Sequence, residues 1–216
     1  MLTVTTPATS KRLAQPSDVV YELGLSGAEA TIIITDMVDQ ASAAIVSYCN
    51  REFALETVEE TLPTTGSCNL MLTRTPIASI SSITFNGVTV PATDYFLTEP
   101  EAGFVFNPNG WGDSAQRTYG LSGTPVQNSR AYLLKATYSA GYVPPGFTGT
   151  PAMPYDIERA CIELVKSLWL GRKLNPNIES ESVPDVGSVK YRTITDIDML
   201  MPPTVKQLLS RWRRAL

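Results

Sequence analysis

Histidine is absent from the 216-residue chain. That single gap removes Ser-His-Asp and Cys-His nucleophile sites, the HExxH zinc site and imidazole acid-base chemistry. Cysteine is scarce: Cys49, Cys68 and Cys161 show no CxxC and no short paired spacing, so neither a disulfide framework nor a zinc site is expected. Cys49 and Cys161 fall on the apolar faces of candidate helices, where a reduced thiol behaves as a small hydrophobe. Charge is thin as well, at 18% of residues against 43% hydrophobic, which leaves surface for protein contacts. The net charge of -4 argues against non-specific attraction to nucleic acid. No apolar run reads as approaching a bilayer span, and Met1 to Gln15 lacks the apolar centre of a signal peptide, so no membrane role and a cytoplasm-like compartment are expected. Neither a GxSxG elbow nor a GxxxxGK[ST] loop occurs, and "GLSG" at Gly24 to Gly27 and Gly120 to Gly123 reads as turns.

What is present is a pattern of helices, then strands, then helices. Pro16 and Ser17 open a short helix closed by Gly24. Ser26 and Glu29 have capping-box spacing, after which Ile34, Met37, Val38, Ala41, Ile45 and Tyr48 repeat at three and four, predicting a long amphipathic helix that ends near Asn50. From Thr57 the runs become short and β-prone. "SISSITF" and "VTV" are joined by Asn86-Gly87, the pair suited to a two-residue hairpin with positive φ at both positions. Thr57 to Leu62, Leu70 to Thr73, Gly103 to Phe106 and Ala131 to Tyr138 are further strands. Asn107 to Arg130 is a Gly-, Ser-, Asn- and Pro-rich loop, either mobile or a contact loop. Pro154 starts a helix with Ile157, Ala160, Cys161, Leu164, Val165, Leu168 and Trp169 on one face, and Pro202-Pro203 precede a last one striped by Val205, Leu208, Leu209 and Trp212. The expected fold is α+β: a small helical bundle, 17–53 with 152–216, carrying an inserted antiparallel β module, 54–151, that includes the loop 107–130, all preceded by an N-terminal extended segment, 1–16.

Chemistry finds little purchase on this frame. Asp36 with Asp39, Glu59 with Glu60, and Asp156 with Glu158 are the nearest carboxylate pairs for a glycosidase. The first pair falls on a polar helix side and the last in a first turn, where acids complement the helix dipole. No catalytic, cofactor or metal residue is expected. Trp169 and Trp212 read as core by their stripes. Trp111, in "NPNGWGDS", has no periodicity to bury it, and either anchors a loop to a partner or folds onto its own domain. The terminal "RWRR" either approaches phosphates or satisfies a helix's last carbonyls. Between the two C-terminal helices runs "NIESESVPDVGSVKYRT", Asn177 to Thr193, too polar to pack a core of its own.

Four stretches in this order carry a resemblance: "IIITDMVDQASAAIVSYCNREF"; "PIASISSITFNGVTVPATDYFL" with "GFVF"; "KATYSAGY" leading to "MPYDIERACIELVKSLW"; and "IESESVPDVGSVKYRT". Together the chain resembles the head-tail connector (adaptor or head-completion) proteins of tailed bacteriophages. It departs from that pattern in Pro184, in "SGAEAT" before the first long helix, and in its enlarged 107–130. The resemblance implies a non-enzymatic virion protein without cofactors, assembled in the host bacterial cytoplasm. Its place would be the head-tail neck, as a homo-oligomeric ring, a dodecamer, that binds the portal protein and a stopper or tail-completion protein. DNA would pass through the lumen without sequence-specific binding. On this reading the arm residues Glu179, Glu181, Val186, Val189 and Tyr191, the loop residue Trp111 and the basic Arg211, Arg213 and Arg214 form the interfaces, with Val186 to Tyr191 pairing with a neighbour or with the next ring by strand addition. Alternatives are a stopper or tail-terminator neck protein, a non-catalytic β binding module exposing aromatics between Tyr95 and Tyr142, and a two-carboxylate glycan hydrolase.

Overall fold

The computed structural model describes residues 1–63, 67–111, 133–172, 180–183, 187–190 and 201–214. The architecture is α+β, with antiparallel sheets and a set of helices. Two compact units divide the chain: Met1–Ser10, Ala54–Val143 and Thr148–Ala152 make one, and Lys11–Phe53, Pro144–Phe147 and Met153–Leu216 the other.

The first unit is built on β1 (Leu2–Thr6), β2 (Glu56–Pro63), β3 (Asn69–Met71), β4 (Ile77–Phe85), β5 (Val88–Thr89), β6 (Phe96–Glu99), β7 (Phe104–Phe106) and β8 (Leu133–Ala140). One antiparallel sheet has the order β1-β2-β8-β4-β5 and a smaller one the order β3-β7-β6. Strand alternation decides what is inside: Val58 on β2, Ile77 and Ile83 on β4, and Leu134, Ala136 and Tyr138 on β8 are buried together with Leu70, Leu72, Val105 and Trp111. Asn86 at φ 48° and Gly87 at φ 83° form the expected two-residue hairpin between β4 and β5. Gly103, at φ 82°, allows a close crossing, because a Cβ there would lie 2.6 Å from the Leu72 carbonyl oxygen.

The helical unit comprises α1 (Pro16–Glu22), α2 (Ala28–Cys49), α3 (Tyr155–Gly171) and α4 (Pro203–Leu209), the last running into a single 3-10 turn, Ser210–Trp212. The stripes are as expected. Ile34, Val38, Ala41, Ile45 and Cys49 of α2 are fully buried, as are Ile157, Ala160, Cys161, Leu164 and Val165 of α3. The capping box is not formed. Gly27 is the residue that precedes α2, with no side-chain cap, so Ser26 sits one place too early and Glu29 one place short of the reciprocal position. Asn50, left-handed at φ 48°, ends α2. Buried Ser42 accepts the Leu13 N–H at 3.0 Å and donates to the Val38 carbonyl at 2.7 Å, which fastens the incoming chain to α2. Glu22 of α1 accepts from both Arg159 and Lys166 of α3.

One expectation is corrected here. By length and composition α2 is apolar enough to cross a bilayer, with 22 residues and a mean hydropathy of 1.2. Its buried stripe nonetheless packs on α1 and α3, and its Asp39 is held by Arg12 at 2.6 Å, which is how a core helix of a folded unit behaves.

Two further strands, β9 (Ser180–Val183) and β10 (Gly187–Lys190), pair antiparallel with each other and with neither of the other sheets. Most of the loop expected at 107–130, from 112 on, lies outside the described residues.

Candidate assembly surfaces

The basic C-terminus folds back on the end of α2. Val205 and Leu209 of α4 are fully buried, and Trp212 after them is 7% exposed. The Trp212 ring meets Phe53 edge to face, with centroids 6.3 Å apart. The Arg51 guanidinium lies 5.6 Å from the Phe53 ring and 5.5 Å from Trp212, and Arg211 covers Trp212 at 4.5 Å. Arg213 sits 5.1 Å over Tyr48, while the Arg214 N–H donates to the Cys49 carbonyl at 3.0 Å. Cations thus gather where α2 ends, the place a helix dipole favours them. Arg211 also reaches Asp156 in the first turn of α3 at 3.4 Å, a pair largely open to water. A guanidinium stacked by its face keeps its in-plane N–H edges for other partners. Both buried thiols nearby are inert at neutral pH: burial pushes Cys49 up to about 11 against the pull of Arg51 and Arg213, and pushes Cys161 up to about 12.

Trp111 is inside its own unit. It is 3% exposed, its indole N–H donates to the Val105 carbonyl at 3.2 Å, and the Tyr95 ring lies 5.9 Å away. Of the two readings open from sequence, the geometry takes the core one. Burial pushes the Tyr95 phenol up.

Glu181 and Val189 are brought directly opposite each other in the β9–β10 ladder. The run expected to pair with a neighbour is therefore paired along one edge within its own chain. Glu179, Val186 and Tyr191 lie outside the described residues.

Of the carboxylate pairs of the sequence, Glu59 and Glu60 separate in space. Glu59 turns outward to Lys135 at 2.8 Å, whereas Glu60 turns inward and is 2% exposed, because neighbours on a strand face opposite sides. Glu60 accepts from the Tyr138 hydroxyl at 2.6 Å, from the Thr73 N–H at 3.0 Å and from the Thr73 hydroxyl. Burial first, and then the Glu60 hydrogen bond, push the Tyr138 phenol up. Glu56, two positions before Val58 on the same face, meets Arg74 at 3.5 Å. This network is a clamp on the segment after β3. Its sequence signal was the spacing Glu56, Val58, Glu60, which puts acids and a valine on one strand face.

A cleft of about 310 Å³ in the helical unit is lined by Lys11, Asp39, Ser42, Val46 and Glu52 among others. Its charges are already in pairs, Asp39 with Arg12 at 2.6 Å and Glu52 with Lys11 at 3.7 Å. Among the described residues no group of three or more His, Cys, Asp and Glu could hold a metal ion.

Comparison with solved structures finds a fold shared along the whole chain. A chain from the neck of an empty gene transfer agent (GTA) particle computed with C6 symmetry superimposes with a TM-score of 0.58 at 16% identity, covering 100% of this chain and 97% of that one. A chain of the neck of a native GTA particle computed with C12 symmetry gives 0.54 at 15% identity, again covering 100% and 97%. A chain of the virion of a native GTA particle gives 0.53 at 17% identity, with the same two coverages of 100% and 97%. No curated protein matches the sequence. The model of the head completion protein family matches residues 17–215, from the first turn of α1 to the C-terminal arginines and beyond. A match of that extent takes in most of both units, and the chain belongs to the head completion protein family.

Proposed function

We propose that the protein is a component of the virion neck that assembles as a ring, a dodecamer, between the portal at the capsid vertex and the tail or its stopper, and extends the channel through which DNA passes. Family membership over 17–215 supports a head-completion role. The observation that carries the ring is the likeness, over the full length of the chain, to subunits of particle necks computed with C6 and C12 symmetry. Net charge of -4 suits a channel wall along which DNA slides without sticking.

The arm supports the same reading. An isolated two-stranded hairpin is marginal in water, and β9–β10 joins no other sheet among the described residues. A hairpin of that kind gains most of its stability when it docks on a partner. Arg211 and Arg213, exposed beside the end of α2, are the second contact, directed at acidic groups of a neighbouring subunit or the portal.

The test is to mix the purified protein with the portal ring of its own phage and image the product by electron microscopy. A collar of subunits on the tail-facing end of the portal is expected. A protein that leaves the portal bare, while remaining folded, would overturn the reading. Deleting Ile178 to Val189 should spare the fold and abolish joining of heads to tails, and normal virion yield from that deletion would remove the arm from the account.

A further inference from the structure

The five-stranded sheet ends at β1, and β1 is unusually open. Met1 and Thr61 exchange both backbone hydrogen bonds at 2.8 Å, so by the alternation of an antiparallel ladder Thr3 and Glu59 form the next bonded pair. The N–H and C=O groups of Leu2 and Val4 therefore point away from β2, along the outer edge. That edge, "LTVTT", carries no charge and no proline, Val4 is 39% exposed, and among the described residues no other strand is paired to it. Natural sheets usually guard such an edge with lysine, proline, inward charge or a bulge. Here a bulge falls only after Val4, which leaves Leu2 to Val4 straight. The other edges are shorter or guarded: β5 has two residues, and β6 has a bulge and the acidic Glu99.

The same chain carries a second unsatisfied strand system, the β9–β10 hairpin, each strand of which has four residues and one unpaired edge among the described residues. Within one chain the two systems do not pair. We infer that they pair between copies: the hairpin of one subunit adds to the β1 edge of the next. The contact joins different surfaces of the two copies, so it is heterologous and propagates around a ring that closes. Each copy then offers one edge and one hairpin, and a closed ring leaves neither over. Main-chain bonds to Leu2 and Val4 supply the affinity and do not depend on side-chain identity, which is the mode of β-strand addition. The inference rests on the ring reading above and names the contact that closes it.

Val4→Pro tests it with little damage to the subunit, because the amide that proline removes points outward and takes no part in the β1–β2 ladder. The expected result is an unchanged thermal melt with assembly on the portal weakened on the order of tenfold or more. A cross-link gives an independent reading. Thr3, bonded inward, becomes a non-hydrogen-bonded site toward an added strand, where backbones approach closest. In a Cys68→Ser background, Thr3→Cys protein mixed with Ser182→Cys or Ser188→Cys protein should form disulfide-linked pairs on mild oxidation, and neither variant alone should. Rings that form normally with Val4→Pro and yield no mixed disulfide overturn the strand pairing and leave the ring standing. A wild-type chain that forms no ring, alone or on the portal, overturns the ring reading and this contact with it.

Discussion

In the β unit, Glu56 and Glu60 are 3% and 2% exposed and turn inward to Arg74, Tyr138 and Thr73. In the helical unit Arg211, 67% exposed, lies over the Trp212 ring at 4.5 Å, and Arg51 lies within 5.6 Å of both Phe53 and Trp212. The two solutions behave differently under damage. A buried carboxylate is stable only while every donor around it is in place, and losing one member leaves desolvated groups without partners. A guanidinium on a ring loses a modest attraction when the ring goes, and water re-solvates its edges. The β unit thus holds its acids inside a network, while the helical unit leaves Arg211 open to water.

The sharpest way to break this contrast is Glu60→Ala. It removes the acceptor shared by the Tyr138 hydroxyl and the Thr73 N–H and hydroxyl, and is expected to cost about 4 kcal/mol in urea unfolding followed by far-ultraviolet circular dichroism. Tyr138→Phe, which leaves the two Thr73 bonds to Glu60 intact but takes its hydroxyl acceptor from the Arg74 N–H, should cost about 2 kcal/mol. Equal effects would mean that the carboxylate is not the centre of the network. Trp212→Ala comes next. It removes the ring shared by Phe53, Arg51 and Arg211, and a cost of about 3 kcal/mol is expected from the cavity, with faster amide exchange at the end of α2.

How much of this was legible in the sequence depends on the range of the interaction. The stripes of α2 and α3 and the Asn86-Gly87 hairpin are local, set by a period of 3.6 or by two backbone dihedrals, and they stood out. The capping box failed by one residue, because spacing alone does not say which position is the first of the helix. Glu60 looked like one of a surface pair. Its burial depends on Tyr138 across the ladder, 78 positions away, and only the strand alternation from Glu56 hinted at it. β1 was unreadable for a similar reason: five threonine-rich residues become a strand only by pairing with β2. Trp111 left its sequence context undecided because its indole partner, Val105, belongs to a neighbouring strand. The arm stood out as too polar for a core, but its pairing of Glu181 with Val189 inside the chain needed the register.

Alkali offers a milder test that again separates the units' buried groups. Cys161 is pushed up to about 12 and Cys49 up to about 11, in both cases chiefly by burial. A thiol whose folded value exceeds its unfolded one, near 8.5 by the reference scale, favours the native state fully below that unfolded value. Its contribution is then lost as pH rises toward the folded value. Stability should be level through neutral pH and fall from about pH 9 upward, with Tyr138 of the β unit adding to the decline because its phenol is also pushed up. Cys161→Ala should cost about 1 kcal/mol at pH 7 and make the alkaline decline shallower. A decline of unchanged slope would assign it to Cys49 and Tyr138 alone.

The smallest effect on stability is expected where the effect on assembly is to be read. Arg211 and Asp156 are 67% and 46% exposed and 3.4 Å apart, so their attraction is screened by water and contributes at most about 0.5 kcal/mol. Arg211→Glu should therefore melt within a degree or two of wild type. The same reversal puts an acid where a guanidinium offered donors to a neighbouring chain, and like charge across a contact is repulsive. Copies collected on the portal should fall, more so at low salt than at high, and Arg211→Lys should restore part of the loss by returning the charge without the planar fork. If Arg211→Glu instead destabilises the chain as much as Trp212→Ala, the arginine is an internal fastener of α4 on α2. The contrast between buried carboxylates and open guanidiniums would then hold for exposure alone, with no bearing on partners.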